Sequence, residues 1–184
     1  KRIGELVKVK KTNLPDSNEL MPVDWINGAF IMVKKSAIEK AGLLDEDFFL
    51  YAEEIEWCSR LAKIGKLAIF GQHKVIHLQG ETTNKSFDSS GKGYYNLYDK
   101  KGLQILISNF VRIRKQYGVG WFCIHLFLYT LEIPLLFVFS LVKQVLSSNR
   151  FPIKMAGGFA ENMMALYALS PKIINNTPHF YKVL

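Results

Sequence analysis

Apolar positions come in short, separated groups up to about residue 93 and in long, nearly unbroken groups after it. Residues 1–22 are polar and basic and are broken by Pro15 and Pro22, which predicts a loop with at most one edge strand. Gly28 to Val33 is a short continuous apolar run, the pattern of a buried strand. Ser36 and Glu39 stand three apart, as in a capping box, and predict a short helix ended by Gly42. Residues 43–51 predict an aromatic loop. From Glu53 to Ile64 the positions Ile55, Cys58, Leu61 and Ala62 recur at helical spacing, and Gly65 supplies the stop. Leu67–Phe70 and Lys74–Leu78 predict two short strands, and the Ser-, Thr-, Asn- and Gly-rich stretch 80–93 predicts a loop.

The longer groups follow. Residues 94–117 read as a helix with Leu103, Ile107, Phe110 and Val111 on one side, ending in Arg112, Arg114 and Lys115. Across residues 119–142 the groups able to carry charge near neutral pH are Glu132 and His125, and Pro134 interrupts the middle. That length is enough to cross a bilayer. Cations stand on both sides, however, with Arg112, Arg114 and Lys115 before and Lys143, Arg150 and Lys154 after. A simple span carries its cations mainly on one side. The balance predicts a segment lying in the membrane interface, or a shallow hairpin bent at Pro134. The alternative is a pair of core helices. Residues 151–184 predict one more helix, from Gly158 to Leu169, and a basic tail.

Composition narrows the partners. The 184 residues allow one domain with a sizeable core, and 49% apolar content excludes a disordered chain. The net charge of +8 points to an anionic partner: lipid headgroups, a phosphorylated substrate or nucleic acid. No basic-aromatic module accompanies the charge, so nucleic acid is set aside. Cys58 and Cys123 have neither metal-ligand spacing nor a disulfide framework, which favours a reducing, cytoplasmic setting. The polar N-terminus has no signal-peptide pattern, and a start at Lys1 rather than Met is what a fragment shows.

The candidate chemistry lies at the helix start. Glu53, Glu54 and Glu56 all complement a helix dipole there, which is reason enough for acids in a first turn. Their surroundings differ. Glu56 precedes Arg60 by four residues, the spacing of an ion pair. Glu54 shares a helix face with Trp57, Cys58 and Leu61, and a carboxylate among apolar groups becomes a usable general base. His77 ends the apolar run Val75-Ile76 beside a polar loop, where an imidazole can face a cleft and bind metal; a lone histidine serves equally as a structural residue. Asp45-Glu46-Asp47 has the Asp-x-Asp form of a metal site, but it follows a helix-ending Gly42 and reads as a turn.

Taken in order, Gly28-Ala29-Phe30, Ala41-Gly42-Leu43-Leu44-Asp45-Glu46, Phe48-Phe49-Leu50-Tyr51, Glu53-Glu54-Ile55-Glu56-Trp57-Cys58, Arg60-Leu61, Gly65 and Val75-Ile76-His77 resemble the C-terminal half of family 2 glycosyltransferases, especially the rhamnosyltransferase-like branch. The resemblance implies an α/β fold. Residues 1–93 would be the acceptor-side part of a Rossmann-like GT-A domain, and residues 94–184 a helical, membrane-associated region. It implies inverting transfer of a sugar from a nucleotide diphosphate sugar to a glycan or lipid-linked acceptor, in cell-envelope polysaccharide biosynthesis. The implied location is peripheral or monotopic on the cytoplasmic membrane. In the family pattern Glu54 takes the place of the general base, commonly Asp, and His77 that of a ligand to a divalent metal, Mg or Mn. Trp25, Gly28, Ala29, Glu53 and Trp57 fall on the wall of the substrate site. The family's N-terminal half, with its nucleotide site and metal-binding Asp-x-Asp, has no counterpart in this sequence. The chain alone is therefore expected to be inactive, and the alternative is a non-catalytic remnant or a membrane-bound partner of a nucleotide-binding chain.

Overall fold

A computed structural model of the chain describes residues 19–73, 75, 87, 89, 96–147 and 151–183. Its elements in chain order are β1 (Leu20–Pro22), α1 (Lys35–Ala41), α2 (Glu53–Ala62), β2 (Ala68–Phe70), α3 (Lys100–Ser147) and α4 (Phe151–Ile174). The described residues are thus mostly helical. The expected α/β architecture is represented by one two-stranded antiparallel sheet, in which Leu20 pairs with Phe70, Met21 with Ile69 and Pro22 with Ala68. His77 and most of the expected strand Lys74–Leu78 lie outside the described residues.

Two local expectations are corrected. Gly28 to Val33 is not a strand. The Asn27 side chain accepts the Ala29 amide at 2.9 Å, and this Asx turn diverts the backbone before a strand can start. Phe30 and Met32 consequently stand exposed. The Ser36–Glu39 capping box is also absent. α1 begins at Lys35, so Ser36 already sits in the first turn, and the residue at the cap, Lys34, makes no side-chain cap bond. The stop is where it was expected: Gly42, at φ 79° and ψ 177°, occupies backbone space that is essentially reserved for glycine.

α3 is not one rod. Gly118, at φ 86° and ψ −178°, breaks its helical geometry. Phe110 and Tyr129 would lie about 28 Å apart along a straight helix, yet their ring centroids are 5.4 Å apart. The chain therefore folds back at Gly118, and residues 100–117 and 119–147 form two arms. Pro134, where the sequence placed a bend, lies inside the second arm, and Gly118 is the residue with non-helical backbone angles. The first arm starts at Lys100 rather than at residue 94. Asp99 acts as its cap, with Oδ1 accepting the Gly102 amide at 2.8 Å and its carbonyl the Leu103 amide at 2.8 Å.

Both arms pack on α4. Ile105, Leu106, Phe110 and Val111 of the first arm and Phe122 of the second form one cluster with Phe159, Met163, Leu166 and Ile173 of α4. α4 runs from Phe151 to Ile174, well beyond the predicted Gly158–Leu169. Gly158 lets it touch the Tyr98 carbonyl, where a Cβ would collide, and Asn162 donates to the Leu97 and Asp99 carbonyls at 2.9 Å each.

The helical layer grips α2 and the loop that leads into it. Ser108 donates to the Leu50 carbonyl at 2.7 Å, and Gln116 to the Ile55 carbonyl at 3.3 Å. The C-terminal tail closes over the same loop. Tyr181 bridges to Phe48, its amide bonds the Asp47 carbonyl, and Phe180 meets Phe49 edge to face. Gln104 fixes the tail from the other side, donating to the Tyr181 carbonyl at 2.9 Å and accepting from the Val183 amide at 3.1 Å.

Candidate active site

The site is built around the first turn of α2. Tyr51 (φ 71°) and Ala52 (φ 67°) precede it, both in left-handed backbone that costs a residue bearing Cβ about 1–2 kcal/mol. Buried Phe48 and Ala52, the Ser108 bond to Leu50 and the tail together hold this turn. It brings Glu53 and Glu54 to the start of the helix directly after the chain reverses.

Glu54 lies under the loop that carries Gly28. A Cβ on Gly28 would sit 3.5 Å from Glu54 Cβ and 3.7 Å from its carboxyl carbon. The same loop is tied one turn further along: the Ile26 amide bonds Cys58 Sγ at 3.4 Å. Glu54 and Cys58 therefore share the face that meets the loop, as their spacing of four residues predicts. Burial pushes the Cys58 thiol up, aided by the Glu54 charge and opposed by the Ile26 amide, so this cysteine stays protonated and serves packing.

Glu53 is the carboxyl at this helix start that burial raises, with the Glu54 charge adding to the shift and its own amide opposing it. Its Oε2 is buried without a hydrogen-bond partner. The sequence singled out Glu54 by its face; burial also acts on the neighbouring Glu53.

The remaining predicted residues divide. Ala29 follows Gly28 in the turn, and Trp25 stands 46% exposed just before it. Trp57 points elsewhere: its indole N–H donates to the Gly42 carbonyl at 2.9 Å and anchors the end of α1. Glu56 and Arg60 form the predicted pair, with Nε 2.8 Å and 3.0 Å from the two carboxylate oxygens. Arg60 also donates to the carbonyls of Ala41 and Leu43, so one guanidinium joins α2 to the end of α1.

Asp45 and Asp47 are occupied by a lysine. Lys115 Nζ lies 2.6 Å from Asp45 Oδ2 and 2.7 Å from Asp47 Oδ2. Burial opposes ionisation of Asp45, but Lys115 and the Asp47 amide outweigh it and hold the carboxyl below its ordinary value. Burial likewise pulls Lys115 down, and the two aspartates outweigh it and raise the ammonium. The acidic turn is thus a structural latch, as its position in a turn implied. Among the described residues no three His, Cys, Asp or Glu side chains come together as a metal site. Sequence reasoning missed Lys115, since nothing local links it to residues 70 positions earlier. It missed the left-handed Tyr51-Ala52 pair because neither residue type favours that conformation.

No protein-family model matches the chain, and no solved structure matches it. Partial likenesses to curated proteins exist. The chain is 32% identical over 65 residues to the N-acetylglucosaminyl-diphospho-decaprenol L-rhamnosyltransferase of Mycobacterium tuberculosis, covering 35% of this chain and 21% of that protein. It is 46% identical over 43 residues to the low-salt glycan biosynthesis hexosyltransferase Agl10 of Haloferax volcanii, covering 23% and 14%. It is 29% identical over 90 residues to the rhamnosyltransferase WbbL of Escherichia coli, covering 47% and 34%. The matches thus span between about a seventh and a third of these proteins' own lengths. Their names share one chemistry, sugar transfer, and over the matched segments the chain is glycosyltransferase-like.

Proposed function

We propose that the chain is the acceptor-side part of an inverting family 2 glycosyltransferase of GT-A fold, working on a glycan or lipid-linked acceptor at the cytoplasmic membrane face. The observation that carries this reading is the Gly28 loop lying against Glu54 at a carboxylate-bearing helix start, held by a strained and heavily buttressed turn. The mycobacterial relative's name specifies a diphospho-decaprenol acceptor, and a lipid-linked acceptor here follows that chemistry.

Inverting transfer is a single in-line displacement. Glu54 accepts the proton of the acceptor hydroxyl as its oxygen attacks the anomeric carbon, and the nucleoside diphosphate leaves from the opposite face. The absence of a side chain at Gly28 leaves room for the acceptor beside the carboxylate. Burial shifts Glu53 toward its neutral form, which favours a single charge at the base. Ala29 and Trp25 extend the same wall. The described residues do not fit a divalent-metal site by themselves, because the Asp45/Asp47 pair is held by Lys115. His77 is assigned to Mg or Mn only in company with acids of a nucleotide-binding half.

The test is a transfer assay with uridine and thymidine diphosphate sugars and a polyprenyl-diphosphate-linked acceptor. It compares this chain alone with a longer product of its coding sequence. Transfer with inversion by the longer protein, and weak nucleotide-sugar binding by this chain alone, are the expected results. Micromolar nucleotide-sugar binding by this chain alone would contradict the division of labour.

A further inference from the structure

We infer that the second arm of α3 carries a bilayer-docking face that lies in the membrane plane rather than crossing it. Its most apolar stretch is long enough to span a membrane, yet only 6% of that stretch is buried within the molecule. The inner side of the arm is covered by protein from Phe122 to Ser140, with Tyr129 and Ile133 packed on the core between them. The outer side is a continuous apolar strip running from Trp121 through Leu128, Leu135 and Val142 to Val145, which is 84% exposed. A core helix would have the reverse distribution.

The choice of occupant follows from what flanks the strip. A seam between two helices is narrow and bordered by charged positions. Exposed Ile124, Leu131 and Val138 flank it on one side, so the face is wider than a paired helix covers, while on the other side Phe139 and Leu146 share their row with His125 and Glu132. Lys143, seated over the Phe139 ring at 5.5 Å, and exposed Lys154 put cations at one end. Exposed Tyr117 and Trp121 stand at the other end, and aromatic residues of this kind favour the lipid–water boundary. A net charge of +8 suits an anionic bilayer.

The fold also argues against a span. α4 is packed along the same arm, as the Thr130 to Tyr167 hydroxyl contact of 2.7 Å shows. Driving the arm through a bilayer would carry exposed Glu161 of α4 into hydrocarbon. In-plane docking leaves the polar side of the layer in water. This inference names the surface on which the proposed acceptor would be met, and it stands or falls separately. In the longer product of the coding sequence, vesicle binding without sugar transfer refutes only the catalytic reading, and transfer without vesicle binding refutes only this one.

The chain supplies its own probe, because Cys123 is exposed on the arm and Cys58 is buried. With vesicles of phosphatidylcholine and phosphatidylglycerol, the protein is expected to float and Cys123 to become protected from a hydrophilic maleimide. Lys143→Gln should lower partition roughly fivefold on the anionic vesicles. A Leu131→Glu/Leu135→Glu variant, both sites being exposed, should keep its helical circular dichroism and lose flotation. Quenching by brominated lipids should place Trp121 and a label at Val145→Cys at one shallow depth. Three results would overturn the proposal: no flotation; Cys123 protected without vesicles in a dimer, which assigns the strip to a second copy; or the two probes at opposite depths, which assigns a span.

Discussion

A single lysine does at this site what sequence motifs would assign to a metal. Lys115 neutralises Asp45 and Asp47 together and so fixes the turn that leads, through Phe48 and Tyr51-Ala52, to Glu54. The sign of its pH dependence follows from the two shifts. Asp45 is depressed, so its contribution is present above its ordinary value and is lost as pH falls through the lower folded value. Lys115 is raised, so its contribution is present below its ordinary value and is lost as pH rises through the higher folded one. Lys115→Met should therefore lose stability by a constant amount between about pH 4 and pH 10. The difference from the parent should shrink outside that window, as followed by urea denaturation across pH. A difference still growing below about pH 3 would show that the latch is not ionic. Glu56 is a second such residue. Glu56→Gln replaces a charge-assisted bidentate pair in a buried position and should cost roughly 1.5–3 kcal/mol, read as a lower urea midpoint at unchanged slope. This pair was legible from its spacing of four residues; Lys115 was not, because its partners lie far away in sequence.

At the scale of elements, periodicity found what is local. α1 and α2 appear where the pattern put them, the long apolar helices appear with other limits, and Gly42 ends α1 because glycine alone is at ease at its backbone angles. What failed depended on partners. Gly28 to Val33 has the composition of a strand, but the Asx turn at Asn27 intervenes and no neighbouring strand among the described residues pairs with it. The bend in α3 was assigned to Pro134, whereas proline keeps helical φ and costs the ladder a hydrogen bond. Reversal of direction needs the positive φ that Gly118 supplies. Gly118→Ala should accordingly destabilise the hairpin by about 1–3 kcal/mol. It should also loosen the contacts between the arms, visible as weaker near-ultraviolet dichroism from the Phe110–Tyr129 cluster. A stability unchanged within about 0.5 kcal/mol would mean that Gly118 is not held at that angle in solution.

Among the described residues, α2 is held against a three-armed helical layer, α1 packs on α2, and the layer's C-terminal tail returns to brace the candidate site. The site was legible in part. Glu54 and Gly28, named from motif order, are brought into contact, and Trp57 turns out to brace α1. Burial also raises Glu53, a tertiary effect that periodicity cannot read. The central claim is that the Glu54 carboxylate under the Gly28 loop removes the acceptor proton. It is tested most directly by Glu54→Gln in a longer product of the coding sequence, with turnover and donor affinity measured on the same preparation. The account predicts turnover lower by roughly 10²–10⁴-fold with donor affinity unchanged. Turnover within a few-fold of the parent, or a loss of donor affinity equal to the loss of rate, would contradict it.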